Sequence, residues 1–313
     1  MKSAVAALLM AAVLAGCGNS SHAADPPRTT TTTALGTGGT AGRRVSANYV
    51  APVVTIQLAQ PLAHYTVYVD DLLTLLHGQL ATLHAAALRG DLSAAEADWS
   101  TAHFTWLELG QDDSAYGAFG ELGQQIDGMA AGLPHTVHSP AFTGFHRIEL
   151  DLWGHHSGTA AAADIAHLAV LVRRLRPAEV QRDLPLTALG VDAWVLRCHE
   201  ILEDALRDSL SQNDDYGSNS DLGTLAADVN ATHEMLAVLA PLIEARRPKI
   251  VPSATTDLRV LTREIEAAGG PAAHRNLRAM PLRQRQALEE ATGAAVETLA
   301  PVSEILQVTV PGS

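Results

Sequence analysis

The sequence predicts an all-α protein built as tandem four-helix bundles, on three observations. Hydrophobic residues make up 47% of the 313 but aromatics only 4%, so the core must come mainly from Leu, Ala and Val, a composition that favours helices over sheets. From about residue 47 onward the large apolar residues recur at helical spacing. Eight or nine helical segments then fill the remaining ~265 residues, more than one four-helix bundle holds, and no strand is expected.

Residues 1–16 carry Lys2, an apolar run from Ala4 to Leu14, and Ala15-Gly16 directly before Cys17, the arrangement of a secretory signal with its cleavage site. Leu14-Ala15-Gly16-Cys17 resembles a bacterial lipobox, which implies a lipid on Cys17 and anchoring outside the cytoplasmic membrane. Residues 17–46 are rich in Gly, Ser, Thr, Pro and Ala, with Thr29 to Thr33 in one run. They cannot bury enough surface to offset ordering entropy, and read as a disordered tether. Residues 47–313 form the folded domain.

Within it, Leu62, Tyr65, Val69, Leu72, Leu73, Leu76, Leu80 and Leu83 share one face of a long helix that stops at Arg89-Gly90-Asp91. Asp91 or Ser93 can cap the next helix, about 93–110. A short helix around 121–131 and another starting near Pro140-Ala141-Phe142 follow. Further helices are expected at roughly 160–175, 182–211, 219–246, 254–268 and 281–308. Leu222, Leu225, Val229, Leu236, Leu239 and Ile243 form a bundle seam, and Pro248, Pro252, Gly269-Gly270-Pro271 and Pro281 mark turns.

The charge is the next constraint. Lys and Arg total 21 against 34 Asp and Glu, a formal charge of −13, which argues against nucleic acid, whose phosphates need cationic partners. Fourteen His beside those carboxylates point toward cations. The two cysteines, Cys17 and Cys198, supply neither a disulfide framework nor a Cys-rich zinc site, and Cys198 reads as a small buried hydrophobe.

The segment Thr143 to Trp153 reads TGFHRIELDLW and places His146 and Glu149 at i and i+3, neighbours on one helix face that can converge on a single metal ion. Phe145, Ile148, Leu152 and Trp153 surround the pair with apolar positions, and a buried His–Glu pair must be neutralised, hydrogen-bonded or metallated. By spacing alone, HxxE is also what a helical salt bridge looks like. His199 and Glu203 form an i,i+4 pair without the second His of a zinc protease. His155-His156, His135 and His138 read as solvated turns, Arg147 as a surface ion pair, and Arg173-Arg174 and Arg246-Arg247-Pro248-Lys249 as helix C-terminal charges.

GFHRIE followed by LW resembles the GxHxxE signature of the imelysin-like family, in particular its EfeO/EfeM branch of bacterial periplasmic iron-uptake proteins. Tyr65, Tyr68-Val69, the Arg89-Gly90-Asp91-Leu92 turn, Tyr116 to Leu122 with Ile126-Asp127, Leu202-Glu203, Asp215-Tyr216, Ser220-Asp221-Leu222 and Asp228 to Ala231 extend the resemblance. It covers most of 48–250 and is to the short form of the family, which lacks the N-terminal cupredoxin domain. It implies a metal site in which His146 and Glu149 join Asp127 and a carboxylate of the LxE helix, Glu203, or Glu200 if the register slips. Where family members carry Tyr-Glu-x-x-Glu on the second helix, this chain reads Trp106 to Asp113 as WLELGQDD. Matching the Tyr to Trp106 removes both glutamates, whereas counting back from Phe119 puts Asp113 at the second. Asp113 or Asp112 is expected to substitute, with Glu108 a poorer candidate.

One imidazole with several carboxylates suits iron, ferrous or ferric, with zinc, copper or manganese as alternatives. The expected function is a non-catalytic, lipid-anchored metal-binding protein that captures iron outside the cytoplasmic membrane. The resemblance implies delivery to a membrane iron permease, with a haem peroxidase as a further component of the same uptake system. A monomer and no nucleic-acid partner are expected. Two other classes stay open: an imelysin-type peptidase, against which no second zinc His is found, and a polysaccharide- or surface-binding module, which the low aromatic content does not encourage.

Overall fold

Helix dominates because the apolar positions repeat every three or four residues along nearly every segment. The computed structural model describes residues 53–110, 119–175 and 188–309. The signal sequence, Cys17, the tether, Asp112 and Asp113 lie outside the described residues. The first and longest helix, α1, is Thr55–Leu88, and Leu62, Tyr65, Val69, Leu73, Leu76, Leu80 and Leu83 are all buried on it. It ends at the Arg89–Gly90 turn, and Asp91 caps α2 (Leu92–Leu107) by accepting a hydrogen bond from the Ala94 amide at 3.2 Å, so Asp91 rather than Ser93 fills the capping position.

The next helix, α3 (Gly120–Asp127), ends where Gly128 turns extended, four residues short of the expected boundary at 131. Then α4 (Gly144–Glu149) runs into a π-helical turn, Leu150–Gly154, closed by the His155 amide donating five residues back to the Leu150 carbonyl at 2.9 Å. A wide turn of this kind inserts one extra residue and is frequent beside functional sites. Ser157 caps α5 (Gly158–Arg174) through the Ala160 amide.

The second half supplies α6 (Ala188–Arg207), α7 (Asp221–Glu244), α8 (Ile250–Ala268), α9 (Leu282–Leu299) and the short α10 (Pro301–Ile305). The expected single helix over 281–308 is broken at Pro301, which has no N–H to continue the ladder. The seam of α7 is buried at Leu222, Leu225, Val229, Leu236, Leu239 and Ile243. The expectation of no strands meets one exception: Val53–Val54 pairs in parallel with Val308–Thr309, joining the two ends of the described fold.

The helices close into two rings. In one, α1 packs on α2 and α5, and α4 with its π turn closes between α2 and α5; in the other, α6, α7, α8 and α9 each pack on the next and α9 returns to α6. The rings join where α7 packs on α1 and α2. Gly223 permits that approach, since a Cβ there would stand 2.0 Å from the Phe104 ring. Cys198 is free and fully buried. Among the described residues, no helix is long and apolar enough to cross a membrane.

A second close approach sets up the site. Gly144 opens α4 at φ +78°, and a Cβ on it would stand 1.9 Å from the Ile126 carbonyl oxygen. Beside it, the Thr143 hydroxyl donates to the Gln125 carbonyl at 2.8 Å. The end of α3 is thereby pressed against the start of α4, which brings Asp127 beside His146. Replacing Gly144 with Ala combines left-handed backbone strain with a backbone collision, so Gly144→Ala is expected to lower unfolding stability by at least about 2 kcal/mol. Denaturant titration checks this; an unchanged midpoint contradicts the close approach.

Candidate metal centre

Three side chains from three helices meet at the bottom of a cleft. His103 lies on the buried face of α2, one turn after Trp99 and one before Trp106, and packs at a tilt against the Trp99 ring at 4.7 Å and the Phe145 ring at 5.0 Å. Its Nε2 faces the Asp127 carboxylate at 3.0 and 3.1 Å. His146 on α4 turns its Nε2 toward the same carboxylate at 3.7 Å. Donor atoms of His103, Asp127 and His146 all fall within 4.8 Å of one another, near the span that one ion with bonds of about 2.0–2.2 Å bridges. All three side chains are at most 7% exposed.

Orientation of His146 comes from its other nitrogen. Nδ1 donates to Glu149 Oε2 at 3.3 Å, one helical turn on. The remaining Glu149 oxygen, Oε1, accepts three hydrogen bonds from the segment before α7: the Tyr216 amide at 2.9 Å, the Ser218 amide at 3.0 Å and the Ser218 hydroxyl at 2.7 Å. Glu149 is 1% exposed; so buried a carboxylate survives ionised only because four donors replace its water. With Nδ1 committed to Glu149, Nε2 is the His146 atom left for a cation, the imidazole–carboxylate arrangement common behind metal-bound histidines.

The charge balance is tight. Burial pushes the Asp127 carboxyl up, but the His103 and His146 imidazoles outweigh that and hold it below the usual range. Burial likewise works against the Glu149 carboxylate, and the hydrogen bonds of His146 and Ser218 outweigh it. Burial alone would lower His146, yet Asp127, Glu149 and Asp214 raise it from 6.5 to about 9. The proton on His146 therefore stands where a cation would. His103 fits the same exchange: its Nδ1 is buried with no hydrogen-bond partner, so moving the ring proton there to free Nε2 breaks no bond at Nδ1.

These groups lie on the wall of a cavity of about 450 Å³, on the order of fifteen water volumes at ~30 Å³ each. Arg197, Asp204, Asp208, Asp214 and Asp228 line the rest of it. Behind lies a small recess formed by Glu149, Asp214, Asp215, Ser218 and Asp221. Burial first, and then Asp214 and Asp215, push the Asp221 carboxyl up to about 8 against the opposing Gln212 hydrogen bond.

Of the residues singled out in the sequence, the structure brings together Asp127, His146 and Glu149. Glu203 does not join them: its side chain is 59% exposed and pairs with His199 at 3.8 Å. Glu200 stands 3.9 Å from Arg197 on α6. Glu108 accepts from the Asn230 side chain at 2.8 Å. Asp112 and Asp113 lie outside the described residues. Arg147, expected as a surface pair, bridges buried Asp151 and half-buried Asp164 at 3.4 and 3.5 Å, bracing the π turn against α5. His135, His138 and His156 are exposed, and so is His155 apart from its 2.9 Å contact with Asp151.

His103 and Asp214 were not singled out from the sequence. The signal for His103 was the helical spacing of Trp99, His103 and Trp106, which puts the imidazole on the core side of α2.

The shifted groups give the apoprotein a definite pH response. His146 and Asp221 bind protons more tightly folded than unfolded, so their contributions are complete below 6.5 and 3.8 and are lost as pH rises through about 9 and about 8. Asp127 and Glu149 bind protons less tightly folded, so theirs are present above 3.8 and 4.5 and are lost on acidification. With chelator present, the melting temperature is expected to peak at about pH 5–6.5 and to fall toward pH 9. A melting temperature that rises from pH 6 to 9 contradicts the assignment.

Residues 61–177 match the family described as Imelysin, which carries a peptidase label. Among known proteins the chain is similar to "Iron uptake system component EfeO" of Yersinia pseudotuberculosis serotype I (strain IP32953) and of Yersinia pestis, each 26% identical over 206 residues. That alignment covers 64% of this chain and 52% of each relative, so the chain spans about half the length of the relatives it matches.

Proposed function

We propose that the chain is a member of the imelysin-like family, in its EfeO/EfeM branch, that it binds iron outside the cytoplasmic membrane, and that it passes the iron to a membrane permease. The ion is cargo, held by His103 Nε2, His146 Nε2 and the Asp127 carboxylate. The observation that carries this reading is the convergence of those three buried donors within 4.8 Å at the wall of a cavity open to the surface. Two imidazoles with carboxylate oxygen form a set suited to iron, manganese or zinc. No thiolate joins them, since Cys198 is enclosed in the core and burial pushes its thiol up to about 12.

Uptake then proceeds as an exchange of a proton for a cation. The incoming ion displaces the Nε2 proton of His146, and the ring proton of His103 moves from Nε2 to Nδ1. Glu149 keeps its hold on Nδ1, so the ring need not reorient. Because the proton competes, acid weakens binding, and an acidic compartment or a donor group on the permease would favour release. The same cavity wall carries Asp214 and Asp228, while Asp204 and Asp208 there are ion-paired with Arg197 and Arg207. Anchoring through Cys17 and partnership with a permease and a haem peroxidase belong to the same proposal.

Hydrolysis is the reading that the family's peptidase label suggests, and the geometry supports it less. Glu149, placed beside His146 where a general base would stand, has Oε2 engaged by the imidazole and Oε1 by three donors, and at 1% exposure it offers little access to a water it would have to activate.

Anaerobic titration with ferrous iron is the test. Wild-type protein should bind one ion, and His103→Ala and His146→Ala should each weaken binding by more than the ~10–100-fold typical of losing a supporting contact. No variant or wild type should cleave peptide substrates. Unchanged affinity in both variants, or metal-dependent peptide turnover that His146→Ala abolishes, contradicts the proposal.

A further inference from the structure

The three converging donors all come from the first ring of helices, and they leave an ion short of the four to six ligands it takes. The second ring presents a group suited to complete the set. Asp214, in the segment between α6 and α7, lines the same cavity as His103, Asp127 and His146, and also the recess that contains Glu149. Its Oδ2 accepts from the Ser209 hydroxyl at 2.8 Å. Its Oδ1 is out of reach of solvent and has no hydrogen-bond partner. An acceptor buried without a donor is a cost that folding alone does not explain.

Neighbouring carboxylates are committed elsewhere. Glu149 is held by His146 Nδ1, two backbone amides and the Ser218 hydroxyl. Asp215 Oδ1 accepts the Gly217 and Asn219 amides at 3.1 and 2.8 Å, and Asp221 Oδ2 accepts from the Gln212 side chain at 2.9 Å.

Building on the cation site proposed above, we propose that Asp214 is the fourth protein ligand, contributed by the second ring, and that Glu149 is a positioning residue that stays off the ion. Asp214 stands outside the 4.8 Å group of His103, Asp127 and His146, so ligation includes a short inward turn of its side chain. Two and four residues further on, the same segment holds Glu149 through the Tyr216 and Ser218 amides. Binding is thereby linked to the placement of this segment at the cavity wall, and the ion becomes a bridge between the two rings.

Cobalt(II), whose visible absorption reports ligand number, tests this on the full chain. Asp214→Asn should weaken cobalt binding by at least about 10-fold and change the band positions and intensity of the bound ion, while the metal-free variant melts no lower than wild type. Asp214→Glu, which keeps a carboxylate, should retain the wild-type band pattern. The inference is overturned if Asp214→Asn leaves affinity and bands unchanged while His146→Ala abolishes binding, or if it lowers the metal-free melting temperature and affinity with the bands unaltered. Should wild-type protein bind no cobalt or iron, the cation reading itself fails and this inference falls with it.

Discussion

A single buried carboxylate organises the site. Glu149 is sealed from solvent and stable as an anion because His146, two backbone amides and a serine hydroxyl surround it. Breaking a buried charge network of this kind costs about 3–5 kcal/mol, so the carboxylate holds its partners in place as firmly as they hold it. Those partners belong to different parts of the fold: His146 to α4, the amides to the segment leading into α7. Further contacts reinforce the connection, with the Tyr216 hydroxyl accepting from the Ala130 amide at 2.7 Å and His274 donating to the Ser218 carbonyl at 2.8 Å.

From that anchor the rest of the site follows. His146 can turn only Nε2 toward the cavity, the collision-free Gly144 presses Asp127 up to it, and the tilted packing of Trp99 and Phe145 fixes the His103 plane. The donors are held before any cation arrives, which reduces the ordering cost of binding. Under the proposal, carboxylate and imidazole ligands with a proton as competitor would form a site that can fill and empty, in keeping with transport.

The helices were legible in the sequence because their apolar positions repeat with the helix period: the face of α1 from Leu62 to Leu83 and the seam of α7 from Leu222 to Ile243 are buried as that spacing requires. Boundaries were less so, since the end of α3 at Asp127 and the break at Pro301 depend on local backbone geometry. The site was legible in part. His146 and Glu149 stand together because i and i+3 are neighbours on any helix, but nothing in that spacing shows that amides 67 and 69 residues away occupy the glutamate. Asp127 came from the family resemblance; its contact with His146 rests on the Gly144 approach to Ile126, which no periodicity encodes. His103 stood unremarked between two tryptophans, although their helical spacing places it inward. Glu203, matched by resemblance to an LxE helix, faces solvent because α6 turns that side outward.

In the proposed site two imidazoles, His103 and His146, meet one ion while Glu149 stays behind His146. X-ray absorption at the iron edge of the loaded full chain counts histidine ligands directly through the outer-shell scattering of the imidazole ring. Two imidazoles with oxygen donors at about 2.0–2.2 Å are expected, falling to one imidazole in His103→Ala. A wild-type spectrum with a single imidazole, unchanged by that substitution, would contradict the account.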